Sequence, residues 1–284
     1  MQDQSAIDDI EYGLFLEAVF RRYGYDFRNY SRKSLRRRVQ SILDQEHISD
    51  IGQLTWHCLR DQDLFLRILP TLTVSTSSMF RDPESFLSLR QNVIPLLHTY
   101  PHINIWHAGC STGEEVYSLA IVLKEENLYD KATIFATDIN PTALKLAKEG
   151  IYTVDKVKEY TQAYQQAGGR ECFSDYYTAH YGHARMDRSL IENVTFVEHN
   201  LATDAAFTEA HLILCRNVFI YFNQSLQEKT ARLFLNSLVY KGILCLGSAE
   251  TVRLLSCSHL FDDYDEKNRI FQKNAEFQAP IFRA

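Results

Sequence analysis

The stretch Ile105 to Ile121, IWHAGCSTGEEVYSLAI, sets two glycines, Gly109 and Gly113, and two adjacent glutamates, Glu114 and Glu115, between an apolar run and a helix-like run. Glycines in the turn after a strand let backbone approach a ligand closely, as in the first turn of nucleotide-binding sheets. The spacing is neither G-x-G-x-x-G nor a P-loop, which would close on lysine and a hydroxyl residue. A helix start favours anions, yet here it already carries carboxylates that would repel a phosphate. The ligand that fits such a turn is cationic.

Asp138 ends the next apolar run, about 25 residues after Gly113, where nucleotide-binding sheets keep an acid for ribose hydroxyls. A glycine turn, an acid for an ammonium and an acid for a ribose suit S-adenosylmethionine, which has an amino acid end and a sugar but no phosphate. The residues alone leave a plainer reading open: an acidic first helical turn of ordinary capping value, and an aspartate that merely ends a strand.

Positioning such residues takes a particular arrangement of elements. From Ile103 onward, INIWHAG reads as a strand, Glu114 to Leu128 as a helix, ATIFATD as a strand and Pro141 to Lys148 as a helix. Pro141 suits a first helical position and Gly150 a C-terminal cap. NVTFVEHNL, HLILCRN, a helix over about 224–239 and GILCLGSAE continue the alternation. This is the pattern of a doubly wound, Rossmann-like α/β sheet. Between about 151 and 192 the regularity fails, and CFSDYYTAHYGHARMDRSLI reads as a small antiparallel β insertion at the sheet's edge, turning near Gly182. Residues 1–70 have helical periodicity only, so an all-α N-terminal domain is expected there. A polar linker, 71–83, would then lead into the ligand-binding domain at 84–284.

A chain of 284 residues with 45% hydrophobic content can bury a large core in two domains. Its apolar runs are too short to cross a bilayer, so no membrane insertion is expected, and the acidic opening MQDQSAIDDIEYG does not read as a signal peptide, so a cytoplasmic location is expected. The six cysteines are scattered without a disulfide or zinc spacing. Pro101 keeps His98 and His102 from pairing on a helix, so no metal site is expected. Trp56 and Trp106 read as core residues, and Tyr176, Tyr177 and Tyr181 as packing for the insertion. A net charge of −6 argues against wholesale nucleic-acid binding. One basic stretch stands out, FRNYSRKSLRRRVQSIL, with Arg28, Arg32, Lys33, Arg36, Arg37 and Arg38 around an apolar stripe of Leu35, Val39 and Ile42. Such a helix is a solvated face, a nucleic-acid contact or a docking surface for an acidic protein.

Taken together, AGCSTGEEVYSLAI, ATDIN, HNL and LILCRNVFIYF, with TVSTSSMFRDP before them, resemble the chemotaxis receptor methyltransferases of CheR type in order and spacing, over nearly the whole chain. The resemblance implies a protein-glutamate O-methyltransferase that moves the methyl of S-adenosylmethionine onto receptor carboxylates, leaving S-adenosylhomocysteine. It implies that Glu114 holds the cofactor's amino group, Asp138 the ribose, and Asn200 and Leu201 the adenine. Ala108, Cys215 and Arg216 would line the cofactor's middle section, with Ser75, Ser77 and Arg81 reaching in from the linker. Arg81 and Tyr221 would stand beside the reacting methyl. The resemblance also turns the basic helix into a substrate-binding surface, with Arg32, Arg36 and Arg37 facing the acidic helical coiled coil of a chemoreceptor's cytoplasmic methylation region.

Three positions depart from the family pattern. Ser75 and Ser77 stand where members usually carry asparagine and threonine, and His211 where they carry an aspartate; the histidine reads as a structural variant. The insertion turn is shorter than in members that dock a receptor's tethering pentapeptide, so no tether is expected, and a monomer is. Two alternatives remain at this point: a methyltransferase acting on RNA or a small molecule, and a non-catalytic module that signals by cofactor occupancy.

Overall fold

The computed structural model describes residues 2–274, with side chains from Ala6 onward; residues 275–284, at the end of the expected ligand-binding domain, lie outside the described residues. The chain opens with four helices, α1 (Gln2–Tyr23), α2 (Arg32–Gln45), α3 (Ile51–Arg60) and α4 (Gln62–Thr73). They close around a core of their own that includes Phe15, Val19, Phe27, Leu35, Val39, Ile42, Phe65 and Leu72. Asp50 and Asp61 start α3 and α4 by accepting the N–H of Gln53 and Leu64, the side-chain cap that aspartate supplies well. The helical unit was expected to end at residue 70, before a linker from Thr71. Instead α4 runs through Pro70 to Thr73. Within a helix's last turn proline forfeits one backbone bond, and the burial of Leu69 and Leu72 keeps the turn helical.

A short helix α5 (Pro83–Ser88), a π-helical turn (Leu89–Val93) and α6 (Ile94–His98) then lead into the sheet. Its first strands and helices are β1 (Ile103–Ala108), α7 (Glu114–Glu125), β2 (Ala132–Asp138) and α8 (Pro141–Glu149). The insertion holds β3 (Ile151–Thr153), α9 (Val154–Gln166), β4 (Tyr177–His180) and β5 (His183–Met186). After it come β6 (Val194–Glu198), β7 (Ala210–Cys215), α10 (Gln224–Ser237), β8 (Leu238–Leu246), β9 (Phe261–Asp265) and β10 (Ile270–Lys273). The seven-stranded sheet runs β6-β2-β1-β7-β8-β10-β9. Only β10 is antiparallel to its neighbours. Consecutive connections leave β1 toward β2 on one side and reach β7 on the other, so the switch point lies at β1 and β7, where such sheets open a crevice beyond the carboxyl ends of their strands.

Side chains alternate across the sheet with period two. Ile103, Ile105, Leu212, Leu214, Ile243 and Cys245 face α7 and the insertion, while Trp106, Ile213, Cys215, Leu244 and Leu246 face α10. Of the two tryptophans expected in the core, Trp106 is fully buried, but Trp56 is 53% exposed with the Arg60 guanidinium 4.5 Å over its ring. Two adjacent residues of a helix point to different faces, and Leu54 and Cys58 take the inner one.

The insertion is a separate three-stranded sheet, β3-β5-β4, hydrogen-bonded to neither edge of the large one. It covers α7, whose residues from Glu114 to Leu123 are therefore buried all round. Tyr181 and Gly182 turn its hairpin, both at positive φ as a two-residue hairpin turn requires. Tyr181 is 91% exposed and stacks only on the neighbouring His180 ring, so unlike Tyr176 and Tyr177 it does not pack the insertion's core. A buried charge cluster fixes the insertion in place: Arg90 pairs with Glu125 and, at 3.0 Å, with Glu126, and Glu125 also takes the hydroxyls of Tyr164 and Tyr176. No helix among the described residues is long and apolar enough to cross a membrane.

Two expectations follow. Arg90→Met leaves Glu125 as an uncompensated buried charge and is expected to cost about 3–5 kcal/mol in urea unfolding. At the amino end of β7, His211 Nδ1 accepts the Asn104 N–H at 3.1 Å, and burial holds its imidazole pKa below the ordinary value. The unfolded chain takes up that proton near pH 6.5, the folded chain only at lower pH. Stability is thus complete above that point and falls as pH drops through it, and His211→Gln is expected to flatten the urea midpoint between about pH 7 and pH 5.

Candidate functional site

A cleft with ≈ 770 Å³ of empty space, solvent mouth included, opens at the switch point and is roofed by the helical unit. Its floor comes from the ends of the strands: His107 and Gly109 after β1, Asp138 after β2, and Arg216 to Val218 after β7. Its wall comes from the linker (Val74, Thr76, Ser77, Arg81), and Tyr30, between α1 and α2, closes it from the helical side. A β-bridge between Tyr30 and Phe222 ties that roof down, with the Ser31 N–H donating to the Tyr221 carbonyl at 2.7 Å and the Asn223 N–H to the Asn29 carbonyl at 2.9 Å.

The glycine turn is shaped by close packing. A Cβ on Gly109 would stand 2.5 Å from Val218, and one on Gly113 2.7 Å from Ala147, and both glycines have positive φ. The Thr137 carbonyl accepts the N–H groups of Gly109 and Cys110 at 2.8 Å each, locking the turn to the end of β2. Ser111, between the glycines, then donates its N–H to Asp138 Oδ2 at 2.8 Å, while Asn140 donates to Oδ1 at 2.9 Å. Burial raises the Asp138 pKa above the usual carboxylate range, with those two N–H groups pulling the other way.

Opposite Asp138, Glu115 bridges two partners, His107 at 3.2 Å and Arg216 at 2.8 Å. Burial pushes its carboxyl up, but the Arg216 guanidinium and His107 hold it below its ordinary value. Arg216 also donates to the Arg81 carbonyl at 2.8 Å and meets Asp82 at 3.1 Å, so the same guanidinium pins the linker. The linker is strained: Val74, Phe80 and Asp82 all have positive φ without being glycine, a conformation that costs about 1–3 kcal/mol per residue and gathers at functional sites. Phe80 is held by its fully buried ring and by the Ser118 hydroxyl, which accepts its N–H at 2.9 Å. Arg81, between two such residues, is left exposed on the cleft wall, with no hydrogen bond or ion pair for its guanidinium among the described residues.

Six of the residues singled out from sequence line this cleft: Ser77, Arg81, Asp138, Leu201, Arg216 and Tyr221. Five do not. Ser75 accepts the Asn140 amide at 3.0 Å and shares an adjoining recess with Glu114, whose carboxylate is taken by the Thr112 hydroxyl at 2.6 Å. Of the two glutamates it is Glu115, not Glu114, that faces the cleft. Ala108 and Cys215 lie fully buried behind the floor, and Asn200 turns its carbonyl oxygen onto the Ala202 N–H at 2.9 Å. Arg32, Arg36 and Arg37 are exposed on α2, outside the cleft.

Sequence reasoning passed over His199, the first residue of the quoted HNL, and Tyr30, which no local motif marks. It also passed over Glu250. This buried carboxylate accepts the N–H groups of Gly247 (2.7 Å), Asn217 (2.8 Å) and Ile220 (3.1 Å), and so sets the loop that carries Tyr221. Burial raises its pKa. The cleft also has a polar deficit. Of ten buried side-chain polar atoms without a partner among the described residues, five are on its lining residues: His107 Nδ1, Ser111 Oγ, His199 Nδ1, Arg216 Nε and Asn217 Oδ1. Buried polar groups are normally satisfied, so a cleft that gathers orphans is built for a polar ligand.

Comparison with known proteins names that ligand. Residues 75–268 match the family description "CheR methyltransferase, SAM binding domain", and residues 10–73 match "CheR methyltransferase, all-alpha domain". The chain belongs to the CheR methyltransferase family. It is 49% identical over 266 residues to a protein called "Putative methyltransferase Cher3" of Pseudomonas putida, covering 94% of this chain and 97% of that one. It is 28% identical to the "Chemotaxis protein methyltransferase" of Listeria monocytogenes (87% of this chain, 92% of that one) and 26% identical to that of Escherichia coli (88% and 87%). As a CheR methyltransferase it is an S-adenosylmethionine-dependent enzyme, and the cleft offers that cofactor a polar lining: the carboxylates Glu115 and Asp138, the guanidiniums Arg81 and Arg216, unpaired donors and acceptors around them, and no glycine-lysine turn.

Calorimetry with S-adenosylhomocysteine tests the geometry. Asp138→Asn removes a charged hydrogen-bond acceptor and is expected to weaken binding about tenfold to a hundredfold. Glu115→Gln is expected to weaken it more than Glu114→Gln; the reverse order would return the amino group to Glu114.

Proposed function

We propose that this CheR methyltransferase esterifies glutamate side chains in the cytoplasmic methylation region of chemoreceptors, giving γ-methyl esters and S-adenosylhomocysteine. The observation that carries the reading is the unpaired, exposed guanidinium of Arg81 on the same cleft wall as Tyr221, next to a helix with an outward basic face. The names of the Listeria and Escherichia relatives point to the same substrate class.

In this reading Glu115 takes the cofactor's amino group and Asp138 its ribose, with Ser77, Leu201, His199 and Arg216 around the remainder. When bound, S-adenosylmethionine supplies an electrophilic methyl: the oxygen–carbon bond forms as the carbon–sulfur bond breaks, its electron pair staying on sulfur. A glutamate is ionised near neutral pH, with an ordinary pKa of about 4.3, so no residue need act as a general base. Arg81 draws the carboxylate into the cleft, Tyr221 donates a hydrogen bond beside the reacting centre, and the helical roof excludes water. Placement of this kind contributes on the order of 7–11 kcal/mol to well-oriented reactions.

The basic stretch of α2 and the turn before it divides its labour. Arg28 is held by Asp26 and Glu17, Arg36 pairs with Asp9, and Arg38 is buried. Arg32, Lys33 and Arg37 remain exposed for an acidic partner helix. The tight hairpin turn at Tyr181 and Gly182 fits a receptor engaged without a pentapeptide tether.

The test uses methyl-labelled cofactor and a receptor cytoplasmic fragment. Label that leaves as methanol in mild base is the expected outcome, and base-stable label sinks the proposal. Arg32→Glu with Arg37→Glu is expected to slow transfer by about tenfold or more while S-adenosylhomocysteine binding is kept, and Tyr221→Phe to lower kcat by about tenfold or more.

A further inference from the structure

The buried arginine of α2 is the least expected charge in the molecule. Arg38 is 6% exposed, sits in the helical unit, and has no acidic partner among the described residues. Its guanidinium lies over the ring of Tyr221, 4.6 Å from the centroid. One nitrogen donates to the Leu72 carbonyl at 2.5 Å and the other to Ser34 Oγ at 2.9 Å, while Nε is buried without a partner. Burying a charge without a counter-ion is costly. It is tolerated here because a carbonyl, a hydroxyl and the negative face of an aromatic ring share the work of solvent, and a cation over a desolvated ring is held more strongly than one at a surface.

The three partners tie the cleft's roof to its wall. Leu72 lies in the last turn of α4, immediately before Thr73 and Val74, which line the cleft; Ser34 belongs to the helix that starts beside Tyr30; and Tyr221 is the tyrosine on the wall. Glu250 fixes the backbone of the Tyr221 loop from below, but no hydrogen bond fixes the Tyr221 ring itself among the described residues. The ring packs at the margin of the core that holds Phe219 and Phe222, and the polar contact on it is the Arg38 guanidinium.

We propose that Arg38 is a positioning residue for methyl transfer: it acts through Tyr221, holding that ring against the cleft, and thereby makes the helical domain part of the catalytic apparatus as well as of substrate docking. This rests on the catalytic part assigned to Tyr221 above. It also separates adjacent residues by role, because Arg37 points outward and Arg38 inward on the same helix.

Two measurements test it. With the receptor fragment as acceptor, Arg38→Met is expected to lower kcat about tenfold to thirtyfold, the scale of a lost desolvated cation–π contact, with KM for the methyl donor unchanged. Arg38→Lys restores part of the rate. In a Tyr221→Leu background the Arg38→Met penalty disappears, whereas an arginine that only capped α4 would cost the same in both. The second measurement needs no acceptor: in protein labelled with 3-fluorotyrosine, the fluorine resonance lost in Tyr221→Phe is expected to shift and broaden in Arg38→Met while S-adenosylhomocysteine still binds. A Tyr221 resonance indifferent to Arg38→Met, or undiminished kcat in that variant, overturns the inference. A wild-type enzyme that leaves the receptor fragment unmethylated removes the receptor assignment instead, and the fluorine experiment still decides the part played by Arg38.

Discussion

Glu115 is the constraint around which the cleft is organised. A carboxylate with both oxygens engaged and almost no water must have polar partners placed on it, and here they come from two strands: the His107 ring from β1 and the Arg216 guanidinium from the end of β7. Because Arg216 also holds the Arg81 carbonyl and Asp82, the same charge fixes the strained linker. Breaking a buried pair of this sort leaves the remaining charge uncompensated, so the linker, the first helix of the sheet and the switch point move together or not at all.

The rest of the site is held by backbone N–H groups rather than by more charge pairs. Asp138, half-buried, and Glu250, buried, both with raised pKa values, each collect amide donors from a loop and set its path. The two loops end up facing one another across the cleft with left-handed residues at Ser111 and Asn217, neither of them glycine. Strain of that kind persists where the surroundings over-determine it, and the fixed carboxylates below the loops do so here.

The helical unit has two functions on one helix. Its inner side sets Arg38 against the Tyr221 ring and its outer side presents Arg32, Lys33 and Arg37 to solvent. Such a division follows from 3.6 residues per turn: neighbours in sequence point roughly 100° apart, so a run of arginines cannot share one environment. The departures Ser75 and His211 sit away from the cleft, one bonded to Asn140 and the other packed on Tyr100 at the far end of the sheet.

Much of the architecture was legible because it rests on periodicity and on turn chemistry. ATIFATD is the strand β2 residue for residue, and Pro141 and Gly150 bound α8 as their fixed and left-handed backbones require. Asp138, Ser77, Arg81, Arg216 and Tyr221 were found because they sit in or beside motifs that follow strands. What sequence could not decide was where each of two neighbouring side chains goes. Glu115 on the cleft with Glu114 buried in the adjoining recess, His199 on the cleft lining beside Asn200, and Arg38 apart from Arg37 are choices of helix rotation and loop path, set by packing against elements distant in the chain. Tyr30 and Glu250 left no local trace, since each earns its place only through a partner that the fold brings to it. Sequence by itself determined the elements, their order and the acidic character of the ligand turn, because those are short-range properties of the chain. Only the tertiary structure decided which carboxylates, rings and guanidiniums converge, because burial and distance exist only once the sheet and the helical unit have closed on one another.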